Sequence, residues 1–315
     1  GGGGGGDVSM FSSSSDRLTA AERAKRERSR QIALHDRQSS IASKCWWWTS
    51  SPTFRRRTLL ALGDHTSLVL CPPRQSLTDG QSILVPVGQC ESFAGADEEV
   101  WEEVRRFKHS LRRMWASKRK GVLFVETVLP HKGFWQARME CIPVPRRVEE
   151  DAPIYFKSAL TEQAEEWGTH TKIIHTRDRD GGIRRAVPKN FSYFHVEWGG
   201  GGGGGGEGYA QIIETNDFPR DFGVDTIAGM MGIDPFGFNR KGGTRGGGVA
   251  ASSARGTTSK EDEEREAVLR FVEGWKPFDW TLDLDGGDTQ GGITTAEVGG
   301  VSTMTTGEGG GGRVE

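Results

Sequence analysis

The stretch Ala96–Val128, ADEEVWEEVRRFKHSLRRMWASKRKGVLFVETV, joins two periodicities in one short span and so decides the fold. Val100, Val104, Phe107, Leu111 and Met114 recur at four- and three-residue steps, the spacing of a single helical face. Asp97, Glu98 and Glu99 stand where a helix start favours carboxylates, and Arg112, Arg113 and Lys118 stand where its end favours cations. Gly121 stops the helix, and Val122–Val128 reads as a buried strand. A helix that hands over directly to an apolar strand predicts an α+β core.

Working outward, Leu59–Val87 contains short β-like runs broken by Gly63-Asp64 and Pro72-Pro73, which suits an antiparallel sheet with turns. Gln136–Val144 reads as a strand with Gln136, Arg138 and Glu140 on one face and Ala137, Met139 and Cys141 on the other. A helix is predicted around Ser158–Trp167, strands at Tyr193–Trp198 and Tyr209–Glu214, a weaker helix at Asp225–Met231 and a charged one at Glu261–Glu273, which leads into WKPFDW at Trp275–Trp280. The glycine run 199–206 reads as an inflated hairpin turn, since so many glycines form neither strand nor helix at acceptable entropy cost. The expected organisation is a disordered Gly/Ser segment (1–15), a basic helical arm (16–43), an α+β domain (44–148), a second, smaller α+β domain (149–281) with Gly-rich insertions at 199–206 and 241–259, and a disordered acidic tail (282–315).

Glycine supplies 46 of the 315 residues, so the foldable part is shorter than the chain, and ten Trp and fifteen Phe make its core aromatic. The net charge of −2 hides an asymmetry: Gly1–Arg57 carries eleven Lys/Arg against five Asp/Glu, and Ala251–Glu315 carries six against thirteen. Cys45, Cys71, Cys90 and Cys141 have no repeating spacing and no apolar stretch reaches membrane-spanning length, which reads as a reduced, soluble, intracellular protein. The chain opens on glycines without an initiator Met and reads as a fragment.

Three places could carry chemistry. Cys45-Trp46-Trp47-Trp48 lacks the second soft ligand of a zinc knuckle, so free thiols and no metal are expected. Of the seven histidines, His195 stands out: it lies mid-strand two residues from Glu197 on one face, which suits a charge-assisted pair or a satisfied structural histidine. The segment Lys172–Lys189 holds six Lys/Arg against two Asp and runs into Phe191, Tyr193 and Phe194, a combination that suits phosphate contact with base stacking as well as a solvated loop before a core strand.

Nine ordered segments carry a resemblance, among them LGDHTSLVLCPPRQSLTDGQSILVPVGQ (62–89), GVLFVETV (121–128), MECIPVP (139–145), IRRAVPKNFSYFHVEWG (183–199) and WKPFDWT (275–281). From about Lys44 to Thr281 the chain resembles the two C-terminal regions of the CwfJ family, the Cwf-nineteen-like proteins. That resemblance implies a histidine-triad-like first domain and a nuclear role in splicing, in late spliceosomes holding the intron lariat, with a debranching enzyme or a disassembly helicase as neighbours. It also exposes departures: family members carry a second Cys where this chain has Trp48, after Cys45, and His where it has Gln81, Gln89, Gln136 and Gln211. Glutamine is neither a nucleophile nor an acid–base group near neutral pH, so a non-catalytic protein without cofactor is expected. RNA contact is then expected from Arg177, Arg179, Arg184, Arg185, Lys189, Tyr193 and His195, with Arg138 able to hold a phosphate and Arg23–Arg30 neutralising others. The rival readings are a scaffold recruiting a helicase or debranching enzyme through Glu261–Glu273 and WKPFDW without touching RNA, and a nucleotide hydrolase working through His195 or His131.

Overall fold

The computed structural model describes residues 19–129, 136–167, 173–176, 181–199, 206–215, 217–233 and 259–284. The expected disordered termini, His131, Arg177 and Arg179 lie outside them. Eight strands form one antiparallel sheet: β1 (Leu59–Leu62), β2 (Thr66–Leu70), β3 (Ser82–Pro86), β4 (Lys120–Val128), β5 (Met139–Pro145), β6 (Ile174–His175), β7 (Tyr193–Trp198) and β8 (Glu207–Ile212), in the order β1-β2-β3-β5-β4-β7-β8-β6. The α+β class expected from the sequence is observed. The segments expected as two domains meet inside this sheet, where β4 pairs with β7 from Phe124↔Glu197 to Val128↔Tyr193.

Among the described residues the α-helices are α1 (Ala20–Lys44), α2 (Glu98–Ser117), α3 (Arg146–Trp167), α4 (Ile183–Ala186), α5 (Phe222–Met230) and α6 (Lys260–Trp275). Helix α2 buries Val104, Phe107, Leu111 and Met114 completely against Leu84, Val122 and Phe124. Each such side chain removed from water contributes about 1.5–3 kcal/mol. Helix α6 covers the same side: Trp275 stacks on Phe107 at 6.3 Å between centroids, and Phe271 meets Trp115 edge-on at 6.1 Å. On the opposite side, α3 and α5 bury Val148, Phe156, Leu160, Phe222 and Ile227 against Leu123, Val125, Ile142, Phe194 and Val196.

Two glycines are required where elements approach closely. Buried Glu103 of α2 accepts the amides of Asp64 (2.9 Å), His65 (3.0 Å) and Thr66 (2.7 Å), pinning the β1–β2 turn, and a Cβ at Gly63 would fall 2.4 Å from that carboxylate. Gly80 takes φ 81° with the Trp115 ring where a Cβ would lie, 2.5 Å away, so neither backbone nor space admits a side chain.

Helix α3 starts at Arg146, well before the expected Ser158, and keeps Pro153 inside it. Helix α1 opens with a capping box in which Thr19 accepts from Glu22 N and Glu22 accepts from Thr19 N, and the described side chains of residues 20–40 are all exposed.

Candidate functional site

The residue set built around β5 comes together on the sheet side that faces α3 and α5. Gln81, at the foot of β3, donates to Glu140 at 2.9 Å and accepts the amide of Leu77 at 2.6 Å. Gln136 donates to the carbonyls of Pro86 (3.0 Å) and Gly88 (3.1 Å) and accepts the amide of Cys90 at 3.2 Å. Trp48 donates its indole N–H to Val87 O at 2.9 Å. Three of the positions where the family resemblance implies His or Cys are thus occupied by groups that tie β3, the loop after it and β5 together. Gln89 is exposed, and Gln211 lies elsewhere, donating to Leu160 O of α3 at 3.4 Å.

Beside these amides a cleft opens, lined by Val125, Thr127, Arg138, Glu140, Arg220 and Gly223. Arg138 spans it, with its guanidinium 3.3 Å from Glu140 and 4.7 Å above the Trp47 ring. Arg220, from the turn before α5, is lowered below the usual arginine range, first by burial and then by the neighbouring charge of Arg138. Arg138 and Arg220 meet in the cleft with Glu140 against Arg138 and Asp221 beside Arg220, and the Arg138 fork, held by Trp47 on one side, suits a bidentate oxyanion. Cys45 lies close enough to feel Arg138, yet burial pushes its thiol up. No three His, Cys, Asp or Glu side chains converge among the described residues. Arg220 and Trp47 were not legible as site residues. The only signal for Arg220 was its place in a Pro-Arg-Asp turn before a short helix.

The other sequence candidates divide. Tyr193 is fully buried and donates its hydroxyl to Glu126 at 2.6 Å, so it cannot stack a base. His195 is also buried, on the α2 side of the sheet and away from the cleft, which corrects its assignment to RNA contact. Neither the His195–Glu197 pair nor the satisfied structural histidine is observed: Glu197 is held by Lys108 at 2.6 Å and by Arg112, and both His195 nitrogens lack hydrogen-bond partners among the described residues. Burial pushes His195 down to about 4, which keeps the ring neutral. Arg184 is engaged by Glu98, whereas Arg185, Lys189 and Phe191 are exposed. The acidic helix is committed internally: Glu264 is buried and accepts from Arg55 (2.7 Å) and Arg57 (2.8 Å), and Trp275 is core.

Fold and cleft define an α+β protein with a cation-lined site framed by glutamines. Two family models match, "Protein similar to CwfJ C-terminal" over residues 32–157 and "Protein similar to CwfJ C-terminus 2" over 166–281. The chain belongs to the CwfJ family. Relatives include CWF19-like protein 2 of Homo sapiens, 32% identical over 87% of this chain and 28% of its own length, and that of Danio rerio, 32% identical over 87% of this chain and 26% of its own. Pre-mRNA-splicing factor cwf19 of Schizosaccharomyces pombe is 29% identical over 70% of this chain and 32% of its own length. The chain therefore spans about a quarter to a third of these three relatives. Among solved structures, a Hit-like protein involved in cell-cycle regulation from Bartonella henselae overlaps 28% of this chain and 69% of its own at 13% identity and a TM-score of 0.24, too slight to bear on function.

Proposed function

We propose that this chain is a non-catalytic component of the nuclear splicing machinery, acting on late, intron-lariat complexes and holding RNA phosphate in the Arg138–Arg220 cleft. The observation that carries the reading is the convergence of Arg138 and Arg220 beside Gln81 and Gln136. A pair of guanidiniums binds a phosphodiester, and glutamines already bonded to the backbone neither attack it nor shuttle a proton. The relative named as a pre-mRNA-splicing factor supports the splicing role. Exposed Arg185, Lys189 and Phe191 offer a second patch where cations adjoin an aromatic ring. A debranching enzyme and a disassembly helicase are the neighbours such a role brings close.

The test is binding of the chain to a branched, lariat-like RNA and to its linear counterpart across a salt series, with cleaved product followed in the same samples. Salt-dependent binding without turnover is expected, with affinity about 10²–10⁴-fold weaker in R138A/R220A, from about 1.5–3 kcal/mol for each of the two lost charged hydrogen bonds. Turnover would overturn the non-catalytic reading. Absence of RNA binding would favour the protein-scaffold alternative, for which exposed Leu269 and Val272 on α6 are the available surface.

A further inference from the structure

Residues 104–120 carry eight Lys or Arg and no Asp or Glu. Lys108 and Arg112 turn inward to Glu197, and Arg105 pairs with Glu98 and Glu102. The other five, Arg106, Arg113, Lys118, Arg119 and Lys120, are exposed, and none has an ion-pair partner among the described residues. A solvated helix laced with salt bridges would set carboxylates three or four residues from these cations. Here those neighbours are His109, Ser110, Ala116 and Ser117, apart from Glu102, which pairs with Arg105, and Glu103, which is buried under the β1–β2 turn. Cations just past the C-terminus of a helix offset its dipole, which accounts for Lys118 and Arg119 but not for Arg106, three turns earlier.

The cations are also backed by rings. The Arg106 guanidinium lies 3.7 Å from the Trp280 centroid and that of Arg113 lies 5.6 Å from Phe278, while Lys118 and Lys120 sit 5.0 and 5.6 Å from Trp115. A guanidinium lying against a ring keeps its N–H edge toward solvent and loses little further entropy when an oxyanion arrives.

We propose that this outer face of α2 is a further RNA-binding surface, one that reads the phosphodiester backbone without sequence preference. The choice of RNA over an acidic protein rests on the splicing reading above, but the surface is independent of the cleft. The cleft shares Val125, Leu129 and Val224 with the α3–α5 core, whereas α2 packs on the other side of the sheet. RNA held at both places passes around the sheet edge, or two segments are held at once.

The test compares the unaltered 315-residue chain with Arg113→Gln/Lys118→Gln/Lys120→Gln, with Arg138→Ala/Arg220→Ala, and with all five changes together, reading affinity for a linear single-stranded RNA against salt. Arg106 is left in place to preserve its packing on Trp280, and an unchanged unfolding midpoint certifies the fold. The triple variant is expected to lose about 2 from the slope of log affinity against log salt, from about 0.7 per phosphate contact on a single strand. The combined variant is expected to lose the product of the two separate fold-changes. An unchanged slope in the triple variant overturns the surface whatever the cleft variant does, while a loss confined to the triple variant keeps the surface and sinks the cleft. If the unaltered chain ignores RNA, both fail, and binding of poly-glutamate that weakens in the triple variant would mark an acidic protein as the partner instead.

Discussion

Gln81 and Glu140 are joined by a hydrogen bond of 2.9 Å across the β3–β5 pairing, and the same glutamine accepts from Leu77 N at 2.6 Å. One neutral amide, at a position where the family resemblance implies a histidine, thus satisfies a buried carboxylate and a buried backbone donor together. Gln81→Leu should cost about 2–4 kcal/mol, since each orphaned buried group costs about 1–3 kcal/mol. Urea unfolding measures this, and a midpoint within error of the parent's would show the network to be dispensable.

The core beneath α2 should make stability depend on pH in a way that one substitution exposes. Burial pushes Glu126 up to about 7 from 4.5 and His195 down to about 4 from 6.5. Between pH 4.5 and 6.5 the native state keeps a proton on Glu126 that the unfolded chain releases, so this group loses stability as pH rises. Over the same window the unfolded chain protonates His195 and the native state does not, so this group loses stability as pH falls. The two slopes oppose. Glu126→Gln should leave the histidine's alone, with stability falling toward acid by about 1.4 kcal/mol per pH unit. Thermal unfolding across that window reads it, and an unchanged profile would remove one of the two groups from the account.

Glu197 faces Lys108 and Arg112 from inside the sheet. Despite burial, their charges hold its carboxyl down to about 2, so its contribution is present above pH 4.5 and is lost as pH falls toward 2. Glu197→Gln leaves a nearly inaccessible Lys108 uncompensated, and removing one partner of a buried pair costs about 3–5 kcal/mol. The joint variant with Lys108→Met should recover most of that loss in chemical unfolding.

Two neighbouring carboxylates of α6 should behave differently. Glu264, buried between Arg55 and Arg57, should cost about 2–4 kcal/mol when changed to Ala. Glu263, partly exposed against Arg74, should cost under about 1 kcal/mol, and less at high salt. Equal losses would mean that α6 is held by its aromatic face alone.

Much of the architecture was legible because period and punctuation agreed. Val104, Phe107, Leu111 and Met114 marked the buried face of α2, and YFHVEW gave β7 at its observed limits. Three readings went astray for physical reasons. The helix expected around Ser158–Trp167 begins at Arg146 and runs through Pro153, and Glu149 in its first turn accepts the amides of Val122 (3.3 Å) and Gly199 (3.2 Å), which ties that turn to the sheet. Tyr193 and His195 looked like surface groups because a polar residue on a strand says nothing of what covers it, and α2 covers both. Arg220 was invisible because its meeting with Arg138 depends on tertiary approach across 82 residues of chain, which no local pattern encodes.

The seat of α6 has a consequence for how the chain acquires its structure. Arg55 and Glu264 meet across 209 residues, and the rings that close over Phe107 and Trp115 belong to Phe271, Trp275 and Trp280. During synthesis the first half of the sheet therefore emerges with its aromatic side unroofed, and the roof comes after every strand of the sheet. Contacts of such long range form slowly and leave apolar surface exposed meanwhile. A fragment ending after the first family region would keep that surface permanently, so aggregation rather than loss of a binding residue should dominate its behaviour.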